Sequence, residues 1–325
     1  MSIRSFIRLS AHTQALPLLA APEETLIGGQ AVMEGVMMRA PHSYFVAVRK
    51  PDGQLATEEM AVPRLSERYP WFKYPILRGV GTLGQAMYLG IKALRFSANA
   101  ALAEEGDGKS QQEVSPWLMT LNLVFSLAFF IFLYKFVPLY LATLLAKWFP
   151  VFEGRILFNL ADGIIRMVIF LVFLYSISLW KDIRRVFEYH GAEHKVVYNY
   201  ESGLPLTFEN ARQFTTLHPR CGTSFLMVVM VIAIGVYALI PFDGFLLKFV
   251  WRIALLPVIA GISYELIRFA AKHRQSILAF LTTPGLWLQR ITTQPPADDQ
   301  LAVAICALQG AMALENAQGG ELVIS

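Results

Sequence analysis

The chain has 325 residues, of which 55% are hydrophobic and only 16% are charged. Soluble domains carry about a quarter charged residues, so this composition, with a mean hydropathy of +0.47, excludes an ordinary soluble enzyme and indicates a lipid bilayer as a partner. The formal charge is +4, but no Lys/Arg-rich block accompanies it, so we expect positive loops beside anionic lipid and no nucleic-acid partner.

The first element, residues 1–24, contains Arg4 and Arg8 and no acidic residue before Glu23. Its apolar run is too short for a convincing signal peptide. We predict a poorly ordered leader, with an organelle transit peptide as the alternative. Residues 25–74 then show short β-like runs and the turn signal Pro51-Asp52-Gly53, which predict a small β-rich cytoplasmic element.

Residues 75–116 are predicted to form a long surface helix and a polar linker. Apolar residues recur at helical spacing from Leu77 to Leu94, with glycines between them. A fifth membrane span is the alternative reading of this helix, and it would reverse the topology of everything that follows.

The segment 117–271 contains four apolar stretches whose lengths suit a hydrocarbon core about 30 Å thick. They predict a mainly α integral membrane protein with a four-helix transmembrane bundle, flanked by amphipathic helices. A buried four-helix core in a soluble protein is the alternative, but these helices lack a polar face. The stretches are residues 117–148, 156–180, 223–240 and 246–271.

The distribution of Lys and Arg predicts the orientation of this bundle. The loop 181–222 holds six of them, whereas the short turn 242–245 holds none. Both termini and loop 181–222 are therefore predicted to be cytoplasmic, with residues 272–325 as a cytoplasmic tail ending in a helix. Within the second span, Asp162 and Arg166 are spaced i, i+4 and are expected to neutralise each other.

The first chemical motif lies in loop 181–222, where residues 190–194 read HGAEH. On a helix, His190 and His194 share a face and can bind one metal, and Glu193 could act as a base on water bound to it. Gly191 makes a continuous helix uncertain. The alternative is that both histidines are interfacial residues that touch lipid phosphate.

A second cluster, His218 and Cys221, directly precedes the third predicted span and would lie at the same membrane face. His and Cys three residues apart form a chelating pair, although Cys221 alone would be an ordinary buried thiol. Glu265, in the fourth span, is an intramembrane carboxylate and hence a functional candidate. Its alternative role is to pair with Arg268 or Arg220. We predict that His190, His194, His218 and Cys221 bind a divalent metal, with zinc expected.

Four blocks of this sequence resemble the YqhQ-like bacterial membrane proteins, a family of unknown function whose members are predicted to be metal-dependent enzymes. The resemblance implies a bacterial inner-membrane location and a metal role for the His and Cys residues above. It also suggests that Glu34 or Arg39, far away in sequence, approaches the site. The blocks are residues 28–39 (GGQAVMEGVMMR), 190–195 (HGAEHK), 218–223 (HPRCGT) and 288–293 (LQRITT).

Two functions follow as hypotheses. The first is a membrane-bound hydrolase that uses metal-activated water at the cytoplasmic face, with Glu193 as the catalytic base and Arg220 among the supporting residues. The second is a non-catalytic scaffold or adaptor in which the metal fixes loop 181–222 to the bundle. A transporter is weaker, since the spans offer little polar pathway. The substrate, an unknown protein or lipid, and a homo-oligomeric state are left open.

Overall fold

The computed structural model describes residues 27–63, 65–101, 116–218, 221–272 and 283–317. The predicted leader 1–24 lies outside these ranges. The first described element is a four-stranded antiparallel sheet in the order β1-β2-β3-β4, which confirms the predicted small N-terminal sheet. Its strands are β1 (Gly28–Val32), β2 (Gly35–Arg39), β3 (Ser43–Arg49) and β4 (Leu55–Ala61).

The β3–β4 connection is the turn predicted from Pro51-Asp52-Gly53. Gly53 has φ +83°, a left-handed conformation that glycine adopts without a Cβ penalty. Asp52 accepts a hydrogen bond of 2.8 Å from the backbone N–H of Gln54, which closes the turn. This turn sets the register in which Arg49 pairs with Leu55.

The long helix expected after residue 75 is confirmed as α2, and the first apolar stretch continues from α3 through a π-helical turn at Phe132–Phe136 into α4. Pro138 explains that turn, because it has no N–H to donate to the carbonyl four residues earlier. The elements are α1 (Leu65–Arg68), α2 (Leu77–Ala101), α3 (Pro116–Ile131), α4 (Val137–Trp148) and α5 (Arg155–Ser178).

The segment predicted as loop 181–222 is largely helical, and the fourth apolar stretch is broken. Its two halves, α9 and α10, are bent by 48°, since Pro257 cannot continue the hydrogen-bond ladder of the helix before it. The elements are α6 (Lys181–Glu201), α7 (Phe208–Gln213), α8 (Gly222–Ala238), α9 (Phe245–Ala254), α10 (Leu256–Lys272), α11 (Thr283–Thr292) and α12 (Asp298–Ala317).

The sheet is packed between helices that are distant in sequence. One face, with Val36, Met38 and Ala47, forms a core with the apolar faces of α6 and α12. The opposite face, which includes Val46 and Val48, packs on α2. Successive side chains of a strand point to opposite faces of the sheet, so β2 and β3 contribute residues to both cores. The sheet thus positions α6, the helix that carries the HGAEH motif.

His42 links the turn between β2 and β3 to α12, a contact that the sequence did not suggest. Its Nδ1 lies 2.9 Å from an oxygen of the buried Glu315, and its Nε2 lies 3.1 Å from Glu67. Burial alone would lower the pKa of His42, but the hydrogen bonds to Glu315 and Glu67 outweigh it and raise that pKa.

Two described helical segments are long and apolar enough to cross a membrane, Thr120–Trp148 and Arg155–Ser178. A third crossing is obtained if the bent pair α9–α10 is taken as one span. Helix α8 is apolar but has only 17 residues, which is at the lower limit for a span. The described residues therefore support two or three candidate spans, and the four-span bundle stays a prediction.

Candidate metal centre

The HGAEH motif lies on α6, a continuous helix of 21 residues, although Gly191 made that uncertain from sequence. The structure gives Gly191 a different role, because a Cβ there would lie 2.0 Å from the carbonyl oxygen of Gln294. The backbone amide of Gln294 also donates a 2.9 Å hydrogen bond to the carbonyl of Phe187. Glycine therefore allows the segment after α11 to lie directly on α6.

Three of the four predicted metal ligands lie together. One donor atom from each of His190, His194 and Cys221 falls within 4.8 Å of the other two, and the Nε2 of His190 is 3.2 Å from the Cys221 sulfur. Cys221 is the N-cap residue of α8, so this cluster joins α6 to the start of the apolar bundle. Donor atoms bound at about 2.0–2.3 Å to one tetrahedral ion lie about 3.3–3.8 Å apart. The His190–Cys221 pair is already near that spacing, and small side-chain shifts would bring the third donor into range.

Backbone carbonyls orient both histidines. The Nδ1 of His190 lies 2.8 Å from the carbonyl oxygen of Thr292, and the Nδ1 of His194 bonds to that of Thr216. If each Nδ1 carries the proton, each Nε2 presents its lone pair, as is usual for metal-binding histidines. Among the described residues, the buried Nε2 of His194 has no hydrogen-bond partner. An ion bound by His190, His194 and Cys221 would satisfy that atom, so the donor set fits a zinc-type metal.

The electrostatics of the cluster also favour uncharged imidazole at His194. Burial is the main cause that lowers the pKa of His194, and the adjacent His190 acts in the same direction, whereas Cys221 opposes them. A neutral ring is the form that binds a metal ion. Only 2% of His194 is exposed, whereas His190 and Cys221 are half-buried, so the cluster is accessible from one side.

His218, the fourth predicted ligand, lies beside this group of donor atoms but outside it. Its ring is 5.6 Å from that of His194, and its Nε2 points to Glu201 at 3.3 Å. Gln289 on α11 fixes the backbone of His218, since its side chain bonds both the N–H and the carbonyl at 2.7 Å. The structure therefore places His218 next to the three candidate ligands, in contact with a carboxylate.

Glu193, the predicted base, is buried against the sheet. A Cβ on Gly29 would lie 2.8 Å from the carboxyl carbon of Glu193, and the backbone of Gly29 hydrogen-bonds the carboxylate. Burial raises the pKa of Glu193, and both His190 and the Gly29 hydrogen bond oppose that shift. Glu193 thus acts electrostatically on His190 but is not part of the group of three donor atoms.

Glu34 and Arg39, in the distant block 28–39, approach different helices. Glu34 forms an ion pair with Arg185 on α6, and the hydroxyl of Tyr189 lies 3.3 Å from it, one residue before His190. Arg39 donates instead to Gln85 on α2. Glu34 therefore supports the helix that carries the metal ligands, whereas Arg39 contacts the opposite side of the sheet.

The other supporting candidates are not in the cluster. Glu265 on α10 forms a bidentate ion pair with Arg78 on α2, where the Nε of Arg78 lies 2.6 Å from one carboxylate oxygen. The sequence had suggested Arg268 or Arg220 as its partner. Arg220 lies outside the described residues. Glu265 thus connects the long surface helix to the apolar helices.

Sequence reasoning missed the residues that orient the ligands. Thr216 and Thr292 act through backbone carbonyls, which any residue type could supply, so no residue identity indicates them. Gln289 was within a block that resembles the family, but nothing in its spacing suggested a contact with His218. Gly29 carried a usable signal, since a Gly pair within a strand indicates close approach of another group.

Comparison with known proteins agrees with the blocks quoted above. Residues 74–314 match the family model described as "Protein of unknown function (DUF1385)". The chain is also 35% identical over 297 residues to "Uncharacterized protein YqhQ" of Bacillus subtilis (strain 168), covering 89% of this chain and 92% of that protein. No solved structure matches. The chain therefore belongs to this YqhQ-like family of unknown function, as the resemblance predicted.

Proposed function

We propose that the chain is an integral membrane protein, with a polar module on one side of an apolar bundle. The main support is the apolar surface of the candidate spans: only 11% of the best window in Thr120–Trp148 and 33% of that in Arg155–Ser178 is buried inside the protein. Exposed large side chains on these helices include Phe125, Ile156 and Val172. Water would be a poor solvent for so much contiguous apolar surface, and lipid a good one.

The proposed orientation places the polar module, both termini and the metal centre in the cytoplasm of a bacterial cell. Reporter fusions or cysteine labels after residue 150 are expected to report the outer side, and those after residues 205 and 290 the inner side. The Lys/Arg bias of segment 181–222 is the physical reason. Labelling of residue 205 from outside by an impermeant reagent would contradict this topology and the cytoplasmic site.

For the metal centre we propose a membrane-bound metal-dependent hydrolase of unknown substrate. The observation that carries this proposal is the orientation of the three donor atoms, with both histidine Nδ1 atoms at backbone carbonyls and the His194 Nε2 lacking a partner among the described residues. Three protein ligands leave a fourth position for water or substrate, as in catalytic zinc sites. A zinc-type ion held there would lower the pKa of bound water to about 7.

The chain's own residues then have separate roles. His190, His194 and Cys221 would bind the ion, and the carbonyls of Thr292 and Thr216 would hold the two rings in position. Glu193 is the proposed proton acceptor, because it lies one turn from His190 on α6. His218, which is buried and paired with Glu201, lies beside the three donor atoms. The alternative role for the ion is a structural link between α6 and α8.

Replacing Glu193 with Gln tests catalysis against the structural role. The amide is nearly isosteric and removes no donor from the cluster, so metal content and thermal stability should stay within error of the wild type. Complementation of a deletion strain should be lost if Glu193 moves a proton. Full complementation by Glu193→Gln, together with loss of function in His194→Ala, would instead assign the metal a structural role.

A further inference from the structure

A second polar cluster lies among the apolar helices, at the opposite end of α8 from Cys221. Asp162 on α5 forms ion pairs with Arg166, one turn further along α5, and with Arg252 on α9. Arg252 also donates to the side-chain oxygen of Asn159 at 2.6 Å. The two arginines and Asp162 are each at most 4% exposed. The predicted Asp162–Arg166 pair therefore exists, but it belongs to a larger group.

The cluster carries more positive than negative charge. Lys135, from the π-helical turn, donates a 2.9 Å hydrogen bond to the hydroxyl of Tyr237, which itself donates to the carbonyl of Arg252 at 3.0 Å. The ring of Tyr237 has Arg166 at 5.1 Å, Arg252 at 4.9 Å and the Lys135 nitrogen at 5.3 Å from its centroid. Two guanidinium groups and the Lys135 amine thus surround one ring, and Asp162 pairs with both arginines.

Arg166 also has hydrogen-bond donors that nothing uses. Its Nε and Nη1 are buried, and within the described part of the chain neither has a hydrogen-bond partner. These two nitrogens carry three N–H groups of the guanidinium. Burying unpaired charged donors in an apolar environment is strongly unfavourable. A group with negative charge and several acceptor oxygens would remove both the excess charge and the unpaired donors.

A cavity leads to the cluster from the end of the bundle. It has a volume of 50 Å³, and its lining includes Asn159, Tyr237 and Arg252 from the cluster. The other charged groups of the lining are two cations, Arg155 and Lys248, and two carboxylates, Glu153 and Asp243. That volume exceeds the roughly 10–15 Å³ that a single water needs. Lys248 lies 3.9 Å from Asp243, and the outer cations and carboxylates balance each other. The attraction for an anion therefore comes from the buried arginines.

We propose that this cluster is an oxyanion site that binds a phosphate group. A phosphate group carries about −1.5 to −2 charges and several strong acceptor oxygens, which suits two buried arginines that share one carboxylate and the Arg166 donors that no described residue accepts from. Arginine in particular suits phosphate oxygens. A lipid phosphodiester carries one negative charge and free phosphate more, but both present phosphate oxygens to the arginines. The experiment below distinguishes them.

The test uses the full-length protein, delipidated in maltoside detergent, which contains no phosphate. Thermal unfolding is measured in sodium phosphate and in sodium chloride of equal ionic strength, and separately with added phosphatidylglycerol or with a neutral glycolipid. The variants are Arg166→Gln and Lys135→Met, and the control is Lys147→Gln, an exposed cation on α4. Lys135→Met keeps an apolar helix apolar, so it is expected to fold even if Arg166→Gln does not.

Free phosphate is expected to raise the unfolding temperature of the wild type and of Lys147→Gln, with apparent affinity about tenfold or more weaker in Lys135→Met and Arg166→Gln. If only phosphatidylglycerol gives this Lys135-dependent stabilisation, the phosphate belongs to a lipid. If neither phosphate nor phosphatidylglycerol stabilises the wild type, or if Lys147→Gln loses the effect as fully as Lys135→Met, the proposal is overturned.

Discussion

Replacing His194 with alanine is expected to release the metal and to lower the unfolding temperature of the metal-loaded protein. His194 supplies one of three clustered donor atoms, and its Nε2 has no competing partner among the described residues. Metal affinity should fall by about 100-fold or more, since disturbing residues that merely orient a ligand already costs about 10–100-fold. Metal bound to the folded state stabilises it, so the loss corresponds to about 3 kcal/mol, or roughly 4 °C for a chain of this length.

The matched control is His218→Gln, a neighbouring histidine outside the group of three donor atoms. It should keep the metal, measured by elemental analysis of purified protein before and after chelation. Equal metal loss in both variants would mean that His218 is a ligand and that the fourth position is closed. Unchanged metal content in His194→Ala would remove the basis for a metal-dependent function.

The motifs HGAEH and HPRC could be recognised in the sequence because their residue types and spacing are typical of metal-binding sites. His190 and His194, four residues apart on a helix, share a face by helical geometry alone. Few residues separate α5 from His190, and Cys221 directly precedes α8, so both clusters lie at the same end of the apolar helices. The direction of His218 could not be predicted, because Gln289, 71 residues away, determines its backbone position.

The packing of the polar module was less predictable than its elements. The sequence indicated a small sheet and a C-terminal helix, but their contact joins Ser43 to the carbonyl of Ala311 across 268 residues, and no local pattern encodes that pairing. Arg252 was missed in a similar way. Its contact with Asp162 depends on the bend at Pro257 and on the packing of α9, which no local sequence pattern indicates.

Substituting Gly191 with alanine is expected to have the second large effect, through packing and not through a lost ligand. The new Cβ would be 2.0 Å from the carbonyl oxygen of Gln294, and backbone cannot move away as a side-chain tip can. The segment after α11 must shift, at a cost of about 1–3 kcal/mol or more. Because Thr292 lies two residues earlier and orients His190, metal affinity should fall as well.

Gly84→Ala is the control, since a Cβ on that exposed helical glycine meets nothing within 4 Å. It should stabilise the protein by about 0.5–1 kcal/mol through helix propensity.

Thermal unfolding with and without a chelator separates the effect of His194→Ala from that of Gly191→Ala. With chelator, most of the difference between His194→Ala and the wild type should disappear. The remainder is the cost of the lost hydrogen bond to Thr216 and of truncating a buried ring. Gly191→Ala should still melt lower, because its steric conflict does not depend on metal. If chelation abolishes the Gly191→Ala difference, close packing of α6 against Gln294 is not the reason for the glycine.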